Sequence, residues 1–261
     1  MNLDLSGKTA LVCGSSQGIG KASAIELSKL GARIILLARN EGKLNEVKTE
    51  LSTNSGQEHL VKVADFSDTQ NVEKVARSIA DEFEVHILVN NTGGPAGGPI
   101  TDADAAAFLA AFNQHLINNQ HLVQAVMPGM KKAGFGRIIN IISTSVKAPL
   151  NGLGVSNTIR GAVANWSKTL ANELGSFGIT VNNVLPGATM TSRLDDIAST
   201  KASKTGLSKE EVLQQMAGAS PAKRVGEPEE IANAVAFLAS PAAAFINGIN
   251  LPVDGGRTPC L

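Results

Sequence analysis

The stretch Gly14-Ser15-Ser16-Gln17-Gly18-Ile19-Gly20 decides the reading of this chain. It follows an apolar run, KTALVC at residues 8–13, and opens a segment that sets Ile19, Ala22, Leu27 and Leu30 on one side of a helix before Gly31 ends it. A strand that feeds a helix through closely spaced glycines brings bare backbone N–H groups and the positive end of a helix to one point. That arrangement suits a diphosphate, and at the head of a βαβ unit it points to dinucleotide binding. The spacing here is G-x3-G-x-G.

The alternation continues outward from this turn. Apolar runs at 33–38, 60–64, 85–90, 137–142, 179–185 and 249–253 read as strands. Between them, 41–51, 68–83, 103–127, 156–174 and 228–239 read as helices, with Ser67 or Asp68 capping the second and Pro128 stopping the third. Apolar strands alternating with helices predict an α/β fold, a doubly wound parallel sheet covered on both faces. No linker interrupts the pattern, so residues 1–261 are expected to form a single domain. The polar segment 191–225 departs from the pattern. It holds one expected short helix near 208–216 and is a candidate substrate lid, with a plain surface insertion as the alternative.

Composition removes several function classes. Lys plus Arg and Asp plus Glu both number 23, giving zero net charge and no basic face for nucleic acid. No apolar run approaches the roughly twenty residues of a membrane-spanning helix. Two cysteines, Cys13 and Cys260, build no disulfide framework, and a cytoplasmic location is expected. No metal is expected. The chain contains no tyrosine.

The glycine turn resembles the TGxxxGIG motif of short-chain dehydrogenases/reductases, with Cys13 in place of the threonine. Asn90-Asn91-Thr92-Gly93 is similar to that family's NNAG motif, and Val253-Asp254-Gly255-Gly256 to its C-terminal VDGG. Pro186, Gly187, Thr189 and Thr191 match its PGxxxT motif beside the nicotinamide. Asp65 and Phe66 follow the third strand, where the family binds adenine. The resemblance runs almost end to end. It implies a Rossmann-type sheet of seven parallel strands, a nicotinamide cofactor, a small carbonyl or alcohol substrate, and a homo-oligomer, tetramer or dimer.

Two positions refine that implication. An NAD enzyme usually ends its second strand with a carboxylate that holds the adenosine ribose. Here Ala38 and Arg39 occupy that place, and Arg39 can pair with a 2′-phosphate, so NADP(H) is favoured over NAD(H). The family's catalytic residues are Asn, Ser, Tyr and Lys. The corresponding positions hold His115, Ser143, Ser156 and Arg160.

A phenol titrates near pH 10 and a neighbouring cation brings it lower, whereas an aliphatic hydroxyl is a far weaker acid. Arg160 can hold negative charge and ribose hydroxyls but stays protonated. His115 and Lys147 are the candidate substitute proton sources. Two readings follow. One is an NADP(H)-dependent reductase of ketones or aldehydes, 3-oxoacyl thioesters among them, with an altered proton path. The other is a catalytically weak or inactive nucleotide-binding sensor or partner subunit.

Overall fold

A computed structural model describes residues 1–260. One parallel sheet organises the chain, in the order β3-β2-β1-β4-β5-β6-β7. The strands are β1 (Thr9–Cys13), β2 (Arg33–Ala38), β3 (Leu60–Val63), β4 (Ile87–Asn90), β5 (Gly136–Ile141), β6 (Ile179–Pro186) and β7 (Asn250–Val253). Because side chains alternate along a strand, Ala10 and Val12 of β1 face one layer while Leu11 and Cys13 face the other.

The first layer comprises α1 (Gly18–Lys29), α2 (Glu41–Thr49) and α9 (Pro228–Ala239), which bury Leu27, Leu44, Val235 and Leu238 on the sheet. The second comprises α3 (Thr69–Glu82), α5 (Asn118–Ala133) and α6 (Gly154–Leu174), which bury Val72, Ile79, Leu122, Val126 and Leu174. Each such side chain contributes roughly 1.5–3 kcal/mol by leaving water. Ala232 and Leu238 of α9 are fully buried within the chain.

The helix α4 (Ala105–Phe112) runs into α5 through a π-helical turn, Asn113–Ile117. Each π turn inserts one residue into the helical ladder, and here the turn carries His115 into the interior. The expected stop at Pro128 does not occur. α5 continues to Ala133 and ends at Gly134, whose φ is +61°. Proline removes only one helical hydrogen bond, and the packing of Val126 and Met130 on either side carries the helix through.

Segment 191–225 contains two helices rather than one, α7 (Ser192–Thr205) and α8 (Lys209–Gly218). In α7 only Leu194 and Ala198 are buried, too sparse an apolar stripe to announce a helix.

Asparagines lock the sheet behind its carboxyl ends. Asn90, Asn140, Asn183 and Asn250 lie in register on four adjacent strands. Asn90 Nδ2 donates to Asn140 Oδ1 at 2.8 Å, and Asn140 Nδ2 donates to Asn183 Oδ1 at 3.0 Å and to Ser167 Oγ at 2.8 Å. Asn183 Nδ2 continues the ladder to Asn250 Oδ1 at 2.8 Å. A one-residue slip of any of these strands would break the chain of bonds, so the ladder fixes register. Among the described residues no helix is long and apolar enough to cross a membrane.

Candidate active site

The strand order reverses between β1 and β4, and the crevice outside the carboxyl ends of such strands is where an α/β sheet takes a ligand. The glycine turn sits there. Gly14 and Gly18 have φ of +58° and +55°, values that favour glycine. A Cβ on Gly20 would lie 2.2 Å from Gly14 O, so no side chain fits between the turn and the helix it enters. Asn91 Nδ2 donates to Cys13 O at 3.3 Å and to Gly14 O at 3.2 Å, which ties the end of β4 to the turn.

Ser15 is fully buried and faces away from the crevice: its Oγ accepts from Leu37 N at 3.0 Å and fastens the turn to β2. Ser16 is partly buried and Gln17 exposed, with Gln17 Nε2 donating to Ser192 Oγ at 3.0 Å. Burial pushes the Cys13 thiol up, so this cysteine is an inert packing residue.

The first turn of α1 has no side-chain cap and no acidic residue. By contrast Asn40, Asp68, Asp104, Thr191 and Ser208 cap α2, α3, α4, α7 and α8. The N-terminus of α1 therefore presents unclaimed N–H groups at the centre of the crevice, and this donor set fits a cofactor diphosphate. At the far end of β2, Arg39 is exposed and acts on Asp65, whose carboxyl is held below the usual range chiefly by hydrogen bonds from Ser67 and further by this arginine. Arg39 and Asp65 are thus brought to one edge of the crevice, with Phe66 beside them. Phe66 O accepts from Asn118 Nδ2 at 2.7 Å.

The remaining motif residues line the crevice from the other strands. Thr92 Oγ1 and Gly93 O accept from Gln114 Nε2 at 3.1 and 3.3 Å. Pro186 ends β6, and Gly187 N donates to Val253 O at 3.0 Å. A Cβ at Gly187 would meet Asp254 at 2.8 Å. Thr189 Oγ1 donates to Gly187 O at 3.1 Å. Thr191 Oγ1 accepts from Leu194 N at 3.3 Å and starts α7 directly over Gly18.

Ser143 follows β5 and caps a short turn, its Oγ accepting from Ser145 N at 3.1 Å. Ser156 lies partly buried in the first turn of α6. One turn later Arg160 is 8% exposed, and its Nη1 donates to Ile141 O at 2.9 Å, which anchors the guanidinium two residues before Ser143. Burial, and then the charge of Arg193, lower the Arg160 pKa to about 10, so it remains a cation at neutral pH.

His115 is 1% exposed, and neither ring nitrogen has a hydrogen-bond partner among the described residues. Burial and the nearby Arg160 charge lower its pKa to about 2. In this setting His115 is neutral and carries no imidazolium proton to give. Lys147 lies in the turn after Ser143, where its carbonyl accepts a weak bond from Cys260 Sγ at 3.7 Å.

The residue that sequence reasoning missed is Arg193. It sits in the polar segment with no motif around it, and its Nη2 donates to Pro95 O at 2.5 Å, across from the crevice loop. Nothing short of the folded arrangement signals that contact, which spans nearly a hundred residues of chain.

Sheet order, glycine turn and the residues at the strand ends define a dinucleotide-binding α/β oxidoreductase scaffold. Comparison with known proteins takes this further. The sequence profile described as Enoyl-(Acyl carrier protein) reductase matches residues 14–258. The 3-oxoacyl-[acyl-carrier-protein] reductase FabG of Vibrio cholerae is 37% identical over 260 residues, covering 97% of this chain and 98% of that protein. The NADPH-dependent reductase BacG of Bacillus subtilis is 31% identical over 254 residues, covering 97% and 98%. The crystal structure of L-sorbose reductase from Gluconobacter frateurii, complexed with NADPH and L-sorbose, superposes with a TM-score of 0.93 at 33% identity, covering all of both chains. The chain belongs to the short-chain dehydrogenase/reductase family of oxidoreductases.

Proposed function

We propose that this protein is an NADP(H)-dependent reductase of a ketone or aldehyde, 3-oxoacyl thioesters included, that works without a titrating proton donor of its own. The observation that carries the reading is the placement of Ser143 and the permanent cation Arg160 at the end of β5, in the same crevice as the uncapped N-terminus of α1. Residues 14–20 would hold the diphosphate, Asp65 and Phe66 the adenine side, Asn91, Thr92 and Gly93 the ribose between, and Pro186, Gly187, Thr189 and Thr191 the nicotinamide. Arg39 favours NADP(H) over NAD(H), because it would pair with the 2′-phosphate and no carboxylate ends β2 to repel it. The relatives support the same preference, since BacG is named for NADPH and the L-sorbose reductase structure contains it.

When bound, the reduced cofactor supplies a hydride to the carbonyl carbon. The Ser143 hydroxyl donates to the carbonyl oxygen and fixes its position. As the C–O π pair moves onto oxygen, Arg160 stabilises the growing negative charge from a water-poor position. The resulting alkoxide takes its proton from solvent water, which leaves the alcohol and balances the reaction. Ser156 offers a second hydroxyl at this edge, and His115 is a neutral positioning residue behind Arg160. Segment 191–225 acts as the lid, closing over the crevice through Thr191 and Ser192. The exposed apolar side chains of Ile100, Leu109 and Phe112 favour assembly of the chain with copies of itself.

The test uses purified protein, NADPH, and a panel of ketones, aldehydes and 3-oxoacyl thioesters. NADPH consumption with alcohol formation is expected, and Ser143→Ala should lower kcat by about a hundredfold or more. A second reading rests on the neutral state of His115 and the absence of any tyrosine: a nucleotide-binding sensor or inactive subunit. Tight NADPH binding with no turnover across the whole panel would favour it and overturn the first.

A further inference from the structure

Two arginines converge on one loop of the crevice with no acid to meet them. Arg160 is buried behind Ser143, and Arg193 reaches in from α7. A methyl carbon placed on Gly94 would lie 3.9 Å from Arg160 Nη2 and 3.8 Å from Arg193 Nη2, so both guanidinium groups reach the same point. Among the described residues neither forms an ion pair. The lid acid Asp195 is engaged by Lys209 at 3.0 Å.

Bringing two like charges together at a partly buried place costs free energy, and a fold retains such a pair where an anion completes it. His115 adds an independent sign. It is 1% exposed, beside Arg160, and both of its ring nitrogens lack partners among the described residues. Buried polar atoms are almost always satisfied, so the two ring nitrogens of His115 call for a polar partner at this site.

We propose that Arg160 and Arg193 together hold an anionic group of the substrate, a carboxylate or a phosphate, against the loop at 93–95, beside the carbonyl that Ser143 receives. This rests on the reductase reading and narrows its substrate to carbonyl compounds that carry a negative charge close to the reacting carbon, as a 2-oxo acid does. Planar guanidinium groups match the geometry of such anions. Gly94 leaves room for the group, and Arg193, being on the lid, couples substrate capture to lid position.

The experiment titrates the NADPH-loaded protein with oxamate, with its neutral counterpart oxamide, and with inorganic phosphate, read by NADPH fluorescence and by calorimetry. Arg193→Gln serves as the first variant because Arg193 is exposed. Arg160→Lys, which keeps the charge, is the second. Saturable binding of oxamate or phosphate, at least about tenfold tighter than oxamide and weakened about tenfold or more by Arg193→Gln, is expected. Oxamate binding without phosphate binding assigns a carboxylate, and the converse a phosphate. Equal binding of oxamate and oxamide, or no saturable binding of either anion, overturns the proposal. It is also overturned if Arg193→Gln weakens NADPH and leaves the anions unaffected, because the pair then serves the cofactor diphosphate. Binding is read without turnover, so an inactive protein that still takes the anion separates failure of the reductase reading from failure of this one.

Discussion

Replacing His115 with asparagine tests the electrostatics of the site in a way that stability can report. The imidazole has a pKa of about 2 in the fold against 6.5 in the unfolded chain, because burial and Arg160 both oppose its charge. A group whose folded pKa is depressed lets the unfolded chain bind more protons as the pH falls through 6.5. Its contribution is therefore fully present above that value and is lost progressively on the acid side. Linkage gives a loss of about 1.4 kcal/mol at about pH 5.5 and about 2.7 kcal/mol at about pH 4.5.

His59 and His86 are also lowered by burial and steepen the acid limb, so the quantity to follow is the difference between wild type and His115→Asn. Urea unfolding at about pH 8, 5.5 and 4.5 measures it. The packing cost of the substitution is a constant offset, and the pH-dependent part should shrink in the variant by the amounts above. A difference that stays flat across this range would mean that His115 titrates normally in the fold. The account of it as a neutral positioning residue would then be wrong.

Other substitutions probe the scaffold and the cofactor edge. Arg39→Ala should weaken NADPH by about tenfold to a hundredfold and leave NADH nearly unchanged, measured by fluorescence titration of both. Gly20→Ala places a methyl group 2.2 Å from Gly14 O, so the turn must open. NADPH affinity should fall at least about tenfold in the same titration. Asn140→Leu breaks the ladder at its centre: Asn90 Nδ2 loses its acceptor, and Asn183 and Ser167 each lose a bond to Asn140 while keeping the one between them at 2.8 Å. A destabilisation of about 3 kcal/mol by urea denaturation is expected, and a change below about 1 kcal/mol would deny the ladder its role.

The parts of the fold legible in the sequence were those set by local chemistry. The apolar strands and the glycine turn were found because buried parallel strands are continuous apolar runs and because φ near +60° at Gly14 and Gly18 suits glycine. Asp68 was readable as a cap for the same local reason. What escaped was set by tertiary packing. The π turn at His115 carries no breaker residue, Pro128 is overridden by its neighbours, and α7 buries only Leu194 and Ala198.

In the site, Ser15 matches the cofactor motif but turns its hydroxyl to Leu37 N, a contact that no spacing rule encodes. Arg193 is likewise silent in sequence, because its meaning depends on Pro95 and Arg160 being folded beside it. His115 was legible as a position but not as an environment, since its burial is created by the helices that surround it.

The central claim is that this crevice moves a hydride to a carbonyl carbon with Ser143 and Arg160, although Ser156 and Arg160 stand where the family carries its tyrosine and lysine. Reduction with NADPH deuterated at the transferable position of the nicotinamide tests it most directly, with mass spectrometry of the products from a panel of ketones, aldehydes and 2-oxo acids. The account predicts one deuterium on the former carbonyl carbon, delivered to one face, by the wild type, and formation of that product slowed about a hundredfold or more by Ser143→Ala. NADPH that binds tightly yet leaves no deuterium in any product would contradict it.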